Sequence, residues 1–362
     1  MRTQAAVVES PGGPFTLREV DIEQPRADEI LVKITAAGIC HTDLSARQIW
    51  PAQGLPMVFG HEGAGVVESV GEAVTTVAPG DAVCLSYRSC GGCESCTDGH
   101  PAYCTAFNAL NAAGTRTDGS TPLTSDGSAV YGSFFGQSSL ATHVLTHESN
   151  TVKIPADLPP TVAAPLGCSV QTGVGTVLNV LQPAAGETLV VFGAGSVGLS
   201  AVMAAVAEGC HVIAVDPVAS RRALAQELGA KATLDPGGDT DVAAAVRDLI
   251  DGGPQHAIDT TGQPAVIAQA ITSLRQRGAL ALVGIGTAEF PTMAAMTKGL
   301  TLHGVIEGDS VPAEFIPRLV DLHRQGKLPV EKLIGEFPFA DAEAAAQAAA
   351  QGDVIKPVLT LG

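Results

Sequence analysis

The spacing of apolar and polar residues changes along the chain. Up to about residue 150, short runs rich in β-branched residues alternate with joints that contain Gly and Pro, such as ESPGGP and VAPGD. The runs AAVVES, ILVKITAAGI, GAGVVESV and DAVCLSY have the length and composition of strands, and helical periodicity is weak. This part of the chain is therefore predicted to be mostly β.

After about residue 165 the pattern becomes an alternation of buried strands and helices. LVVFGAG is followed by SVGLSAVMAAVAEG, then HVIAVD, and then SRRALAQELGA with Ser220 as its predicted N-cap. Such alternation predicts βαβ units on a parallel sheet. The C-terminal part returns to mixed character. We therefore predict an α/β protein in which a β-rich domain (1–168 and 306–362) is interrupted by a doubly wound domain (169–305).

Composition and charge narrow the classes of function. Of the 362 residues 46% are hydrophobic, which predicts a substantial buried core. The formal net charge is −17, and this negative charge makes nucleic acid and anionic membranes poor expected partners. The uncharged stretch 188–207 is long enough to span a bilayer, but its glycines favour a strand, a turn and a helix. The N-terminal residues lack an apolar leader. We expect a soluble, cytoplasmic protein with reduced thiols.

A glycine-rich turn predicts a dinucleotide site. Its glycines, at G-x-G-x-x-G spacing, follow a strand, open a helix and precede a second strand that ends in Asp216. They are Gly193, Gly195 and Gly198. The first two permit a tight turn close to a pyrophosphate, and the third allows the helix to pack on the strand. Asp216 favours NAD over NADP, since it accepts from the ribose hydroxyls, although Arg221 and Arg222 follow closely.

The eight cysteines fall into a cluster and four separate positions. The cluster CGGCESCTDGHPAYC contains Cys90, Cys93, Cys96 and Cys104. It admits a disulfide framework, a redox pair, a nucleic-acid-binding zinc knuckle or a structural zinc site, and reduced thiols favour metal. Cys40, His61 and Cys168 form a second candidate set, because two thiolates and an imidazole leave the open position of a catalytic zinc. Spacing alone does not join these three residues.

The chain resembles the zinc-dependent medium-chain alcohol dehydrogenases over essentially its whole length. The stretches GHEGAGVVESVG, C-x2-C-x2-C-x7-C, GCSVQTGVG and VFGAGSVGL occur in that family's order and at its distances. GSFFGQSSLATHV and GVIEGDSVPAEFIPRLVDL are similar to its aryl-alcohol (benzyl-alcohol type) branch. The resemblance implies a GroES-like catalytic domain and a Rossmann domain.

The resemblance also implies roles for residues around the metals. Cys40, His61 and Cys168 would hold a catalytic zinc and the clustered cysteines a structural one, which makes two zinc ions per chain. Thr42 would touch the substrate oxygen, and Glu62 would lie near the catalytic zinc. Asp43 would orient His61, or alternatively cap a helix. Ser45 stands where many relatives have the histidine of a proton relay, so the path of the proton stays open.

Further roles concern the cofactor and the substrate. His41 and Lys356 would face the pyrophosphate, with a structural histidine and a solvated lysine as the alternatives. Residues of the glycine turn and beyond it would surround the cofactor, and Thr172 and Val197 would pack around the nicotinamide. Those cofactor residues are Gly193, Gly195, Ser196, Val197, Gly198, Asp216, Arg221 and Thr172. Trp50 and Tyr87 either line an aromatic substrate pocket or belong to the core.

The implied activity is a reversible oxidation of primary aryl, allylic or terpenoid alcohols to aldehydes with hydride transfer to NAD. Zinc suits this chemistry, because an alcohol gives up hydride more readily once a Lewis acid has lowered the pKa of its hydroxyl. The alternatives are an S-hydroxymethylglutathione (formaldehyde) dehydrogenase and, as a non-enzyme, a zinc-ribbon nucleic-acid-binding protein. A homodimer or homotetramer is expected from the resemblance.

Overall fold

A computed structural model describes residues 1–238, 240–290 and 292–362. The chain forms two compact units. Met1–Cys168, Val311–Asp321 and Val330–Gly362 make up the first, and Ser169–Ser310 and Leu322–Pro329 make up the second.

The strands are, in chain order, β1 (Arg2–Val8), β2 (Thr16–Ile22), β3 (Glu29–Gly38), β4 (Met57–Val58), β5 (Glu62–Val70), β6 (Ala82–Leu85), β7 (Leu123–Ser125), β8 (Ser128–Val130), β9 (His143–His147), β10 (Thr151–Lys153), β11 (Thr188–Phe192), β12 (His211–Val215), β13 (Ala232–Leu234), β14 (His256–Asp259), β15 (Ala279–Leu282), β16 (Thr301–Gly304), β17 (Ile334–Pro338) and β18 (Lys356–Thr360).

The helices are α1 (His41–Ile49), α2 (Glu94–Thr97), α3 (Phe107–Asn111), α4 (Pro160–Pro165), α5 (Gln171–Gly175), α6 (Ser196–Ala207), α7 (Ala219–Glu227), α8 (Val242–Leu249), α9 (Pro264–Ser273), α10 (Thr292–Lys298), α11 (Pro312–Arg324) and α12 (Ala342–Gln351). Two π-helical segments, Leu166–Val170 and Thr176–Leu181, flank α5.

The first unit is built from two sheets over a shared apolar core. One has the strand order β4-β1-β2-β7-β8, and the other has β10-β6-β5-β3-β18-β17, with β9 also pairing with β3. The C-terminal strand β18 lies antiparallel to β3, so it forms an inner strand of the sheet. Residues far apart in sequence, such as Val32, Phe59 and Leu359, meet in the core beneath these strands.

The second unit is a parallel sheet with helices between its strands. Its order is β13-β12-β11-β14-β15-β16, and each neighbouring pair is parallel. The order reverses between β11 and β14, which is the arrangement of a doubly wound dinucleotide-binding fold. The predicted α/β class is therefore confirmed.

Two details of the sequence reading are tested by the second unit. The stretch 188–207 folds as β11, a turn and α6, and among the described residues no helix is long and apolar enough to cross a membrane. Ser220 was expected to cap α7, and this expectation is wrong. The helix begins one residue earlier, with extended Val218 at its N-cap, because Arg221 and Arg222 already donate their N–H groups to the Val218 carbonyl.

Candidate active site

Three residues from distant parts of the first unit converge on one point. Cys40 lies at the N-cap of α1, His61 directly precedes β5, and Cys168 lies in the π-helical segment after α4. One potential ligand atom from each lies within 4.8 Å of the other two. Sulfur and nitrogen atoms around a tetrahedral zinc are separated by about 3.5 Å, so the set has the dimensions of a three-ligand site.

Asp43 organises two of these three residues. Its Oδ1 accepts a hydrogen bond from His61 Nδ1 at 2.8 Å and another from the Gly60 N–H at 3.0 Å. Its Oδ2 accepts from the Cys40 N–H at 2.9 Å, from the third position of α1. Both sequence interpretations of Asp43 therefore describe contacts that it makes: it caps the helix and it faces His61. With Nδ1 engaged, the imidazole presents Nε2 to the Cys40 side.

The electrostatics of this triad suit a divalent cation. The Cys168 thiol, with the charges of Lys356 and His61, outweighs burial and holds the pKa of Cys40 well below its usual range. Burial lowers the pKa of His61, but the charges of Asp43 and Cys40 overcome this and raise it well above its usual value. His61 Nε2 is buried and has no hydrogen-bond partner within the described ranges. Two thiols and this orphaned nitrogen fit zinc.

A buried ion pair lies beside the triad. Lys356 Nζ, from the first residue of β18, donates to Glu62 Oε1 at 2.9 Å and to the Ile39 carbonyl at 3.3 Å. Burial raises the pKa of Glu62 in spite of the lysine, and the charge of Glu62 outweighs burial to raise the pKa of Lys356. Lys356 is 2% exposed, so it is not the solvated lysine considered as an alternative. Its contact with a cofactor stays a prediction.

Glycine 38 makes room for the Glu62 carboxylate. The two residues face each other across β3 and β5, and a Cβ added to Gly38 would lie 2.0 Å from Glu62 Oε2. In the sequence AAGIC this glycine lies two residues before the candidate ligand Cys40. That it faces Glu62 on another strand is visible only in the fold.

Aromatic side chains line the triad. The ring of Phe135 stacks on the His61 ring, with centroids 4.5 Å apart and planes inclined by 27°. Phe134 contacts the same imidazole edge-on at 5.7 Å, and Trp50 contacts Phe134 at the same distance. Tyr87 reaches Phe135 through Phe107, with centroids 5.9 and 6.1 Å apart in turn. We call Trp50, Phe134, Phe135, Phe107 and Tyr87 the aromatic wall.

The sequence predicted two of the five residues of this wall, Trp50 and Tyr87, but not Phe107, Phe134 or Phe135. Tyr87 is 1% exposed, whereas Trp50 is half-buried and packs against the core. Phe134 and Phe135 stand in GSFFGQ, within a stretch that is similar to the aryl-alcohol branch. Their consecutive aromatic rings were the available signal. Whether Trp50 and Tyr87 touch substrate stays a prediction.

Other predicted residues lie on α1. His41 is its exposed first residue, and Thr42 and Ser45 are half-buried on the same helix. Thr42 is separated from Cys40 by one residue, so the helix start carries both the candidate ligand and the candidate substrate contact. The roles of these three residues stay predictions.

The clustered cysteines form a second candidate metal site in the first unit. One sulfur from each of Cys90, Cys93, Cys96 and Cys104 lies within 4.8 Å of the others. The Thr105 N–H, followed by that of Cys96, lowers the pKa of Cys93 to about 6, while burial and the Cys93 thiol raise that of Cys96 to about 12. All eight cysteines are free thiols, so the set is not a disulfide framework. Four sulfurs around one point fit a closed structural zinc.

The glycine turn lies between β11 and α6 of the second unit. Gly193 has φ +91°, a conformation that favours glycine, and a Cβ on Gly198 would lie 1.9 Å from the Gly193 carbonyl oxygen. A Cβ on Gly195 would meet no atom of the described residues within 4 Å. Ser196 Oγ is buried without a hydrogen-bond partner in the described chain. An open approach, an orphaned hydroxyl and a helix N-terminus fit a pyrophosphate.

Asp216 follows β12 next to this turn. Its Oδ2 accepts from the Ala194 N–H at 2.7 Å, and its Oδ1 accepts from the Val218 N–H at 2.8 Å. Arg221 Nη1 lies 3.9 Å from Oδ2. The carboxylate is therefore fixed at the end of the strand, where the ribose of a dinucleotide is expected.

Thr172 and Val197 lie on neighbouring helices of the second unit. Thr172, on α5, donates to Glu307 Oε2 at 3.4 Å. Val197 is half-buried on α6, and its carbonyl oxygen would lie 2.2 Å from a Cβ on Gly173. The nicotinamide contacts of both residues stay predictions.

Comparison with known proteins gives matches in both units. Residues 26–156 match the family model described as alcohol dehydrogenase GroES-like domain, and residues 196–324 match the one described as zinc-binding dehydrogenase. The chain is 45% identical over 362 residues to geraniol dehydrogenase from Castellaniella defragrans, covering 98% of this chain and 97% of that protein.

Solved structures of similar proteins superpose on the whole chain. The crystal structure of benzyl alcohol dehydrogenase from Acinetobacter calcoaceticus has a TM-score of 0.96 at 40% identity and covers 100% of both chains. An alcohol dehydrogenase zinc-binding domain protein from Burkholderia ambifaria has a TM-score of 0.97 at 44% identity, covering 100% of this chain and 99% of that one.

Proposed function

Because the chain belongs to the family of zinc-binding alcohol dehydrogenases, we propose that it oxidises primary alcohols reversibly to aldehydes and passes the hydride to NAD. Aryl, allylic or terpenoid alcohols are its proposed substrates. The observation that carries this proposal is the convergence of Cys40, His61 and Cys168, with His61 Nε2 buried and unpartnered in the described part of the chain.

The first unit is proposed as the catalytic domain with two zinc sites. Zinc bound by Cys40, His61 and Cys168 would supply Lewis-acid polarisation of the alcohol hydroxyl. Asp43 fixes the imidazole, and the two thiolates would offset the positive charge of the ion. Thr42 is the proposed hydroxyl contact to the substrate oxygen, and Glu62 with Lys356 supplies a buried carboxylate beside the ligands. The clustered cysteines would hold the second, structural ion.

The second unit is proposed as the NAD-binding domain. NAD would serve as the hydride acceptor. The turn at Gly193, Gly195 and Gly198 leaves room for the pyrophosphate, with Ser196 Oγ as a donor. Asp216 would accept hydrogen bonds from the ribose hydroxyls and would repel a 2′-phosphate. His41, Thr172, Val197, Arg221 and Lys356 are further proposed cofactor contacts.

The aromatic wall supports the proposed substrate class. Phe134 and Phe135 lie against the ligand His61, so carbon atoms next to a reacting hydroxyl would meet aromatic surface. Such surface favours flat, unsaturated groups. The geraniol and benzyl alcohol dehydrogenases that the chain resembles by 45% and 40% identity support the same class.

A homo-oligomer and a cytoplasmic location complete the proposal. Within the described residues β16 is an edge strand, and the second unit exposes the apolar residues Ile285, Met293, Met296 and Ile306. An unpaired edge and exposed apolar residues favour pairing with a second copy. The free thiols of both candidate zinc sites suit the reducing cytoplasm.

Substrate profiling tests the proposal. Purified protein is assayed for NADH formation with benzyl alcohol, geraniol, hexanol and S-hydroxymethylglutathione, and in parallel with NADP in place of NAD. We expect turnover of benzyl alcohol and geraniol with NAD. Activity on S-hydroxymethylglutathione alone would establish the formaldehyde-dehydrogenase alternative, and absence of activity on every alcohol would refute the proposal.

A further inference from the structure

The aromatic wall depends on a loop with an unusual backbone. Residues 133–138, here called the strained loop, lie between β8 and β9 and carry Phe134 and Phe135. Ser133, Phe135, Gly136 and Ser138 have φ angles of 62°, 51°, 65° and 51°. Residues other than glycine rarely adopt this left-handed backbone conformation, and it persists only where surrounding contacts fix it. The contacts that fix Phe135 therefore determine where its ring lies.

A buried amide holds the backbone on the C-terminal side of Phe135. Asn150 is fully buried, and its Nδ2 donates to the carbonyls of Phe135 at 3.3 Å and Gly136 at 3.2 Å. The same nitrogen lies 3.4 Å from the Ser86 carbonyl, and Oδ1 accepts from the His147 N–H at 3.0 Å. Asn150 thus satisfies two successive carbonyls of left-handed residues.

A second buried amide ties the strained loop to the backbone of the metal-ligand residue. Gln137 is 2% exposed, and its Nε2 donates to the carbonyls of His61 at 3.0 Å and Ser86 at 2.9 Å. Its Oε1 accepts from the Gly63 N–H at 3.1 Å. Ser86 is therefore bound by both amides. Together Gln137 and Asn150 connect the Phe135 backbone to the His61 backbone.

We infer that Asn150 is a positioning residue that sets substrate preference through Phe135. By holding the Phe135 and Gly136 carbonyls, it keeps the ring stacked on the His61 imidazole. A ring that is already fixed contacts a planar aryl or allylic group without losing side-chain freedom on binding. A saturated chain gains less from the same face. This inference rests on the proposed function.

The test compares conjugated and saturated alcohols in variants of the full-length holoenzyme. For Asn150→Ala, kcat/KM for benzyl alcohol relative to hexanol should fall about threefold to tenfold, mostly through KM. Phe135→Leu should lower the same ratio by a similar factor. Because both substitutions remove the same contact, that of the Phe135 ring, the benzyl alcohol to hexanol ratio of the double variant should be no lower than that of either single variant.

Asn179→Ala is the matched control. The Asn179 amide also donates to two successive carbonyls of left-handed residues, Gly308 at 3.0 Å and Asp309 at 3.3 Å, but in the second unit. This variant should keep the benzyl alcohol to hexanol ratio of the wild type. Benzamide is a flat probe that the enzyme cannot oxidise. When it is titrated calorimetrically into the NADH-loaded protein, its affinity should be about threefold to tenfold lower for Asn150→Ala than for the wild type, matching the fall in the kcat/KM ratio.

The possible outcomes separate this inference from the proposed function. A wild type that oxidises no alcohol refutes the function itself. A wild type that turns over both alcohols without preferring benzyl alcohol contradicts the inference, as does an Asn150→Ala enzyme with an unchanged ratio. An additive double variant shows that Asn150 does not act through Phe135. If Asn150→Ala does not fold, the benzyl alcohol to hexanol ratio is measured in Asn150→Ser, alone and combined with Phe135→Leu.

Discussion

At the scale of single residues, the site depends on groups that hold the ligands as much as on the ligands. Asp43 accepts hydrogen bonds from His61 Nδ1, from the Cys40 N–H and from the Gly60 N–H. A carboxylate that is fully buried accepts all three without needing a donor of its own. One side chain thereby fixes the ring of one proposed ligand and the backbone of another.

Changing this carboxylate to an amide should weaken the catalytic metal site selectively. In Asp43→Asn, one acceptor oxygen is replaced by an NH2 group that faces an N–H donor. We expect zinc affinity at the Cys40–His61–Cys168 site to fall about 10–100-fold, the usual cost of losing such a partner. Competition with a chromogenic chelator measures this, and the four-cysteine site serves as an internal reference.

The control for this prediction is Asp118→Asn. Asp118 is a half-exposed carboxylate in the same unit that accepts from Arg26 and Ser120, and its loss should leave both zinc affinities unchanged. Equal affinities in Asp43→Asn and the wild type would mean that the imidazole is held by other contacts.

At the scale of elements, the glycine turn shows how three glycines serve different purposes. Gly193 is required by its backbone angle, and Gly198 is required because α6 lies against the Gly193 carbonyl oxygen. Gly195 has neither constraint, since its φ is −79° and the space at its Cβ position is open. We therefore expect its missing side chain to matter for the ligand and not for the fold.

Alanine at these two positions should separate fold from cofactor binding. Gly198→Ala should lower the free energy of unfolding by about 1–3 kcal/mol, because the backbone of α6 must move away from the strand. Gly195→Ala should leave unfolding unchanged and raise the Kd for NADH about tenfold or more, since its methyl group occupies the pyrophosphate approach. Urea denaturation and NADH fluorescence titration measure the two effects. Loss of stability in Gly195→Ala with normal NADH binding would contradict this division.

How far the elements were predictable depends on their length. The strands and helices of the second unit repeat a strong pattern over many residues, so periodicity predicted β11, α6, β12 and α7. The hairpin of β7 and β8 has strands of three residues each, and the π-helical segment that carries Cys168 has no sequence signature. The strained loop with Phe135 was equally hidden, because its buried hydrogen bonds join it to residues elsewhere in the chain, to Asn150 and, through Gln137, to His61.

At the scale of the whole molecule, the first unit is assembled from separate parts of the chain. Strand β18 pairs with β3 and supplies buried Val358 and Leu359, so the N-terminal segment alone lacks an inner strand. The same assembly brings Cys168 to Cys40 and His61. Spacing could not join these ligands, because their approach depends on sheet pairing and on a helix start. The family resemblance predicted that these three residues share a site, and in the fold their potential ligand atoms lie within 4.8 Å of one another.

The two candidate zinc sites should differ in what their loss does to the molecule. The four-cysteine lobe is largely exposed and has few buried apolar residues, so we expect a bound metal to take the place of a core there. Cys93→Ser should therefore lower the free energy of unfolding by about 4 kcal/mol. Cys168 lies in the core beside other buried residues, so Cys168→Ser should retain most of the stability while turnover falls to background. Elemental analysis should give two zinc ions in the wild type and one in each variant. If both variants lost stability equally, or if the wild type held a single ion, the division into a structural and a catalytic site would be wrong.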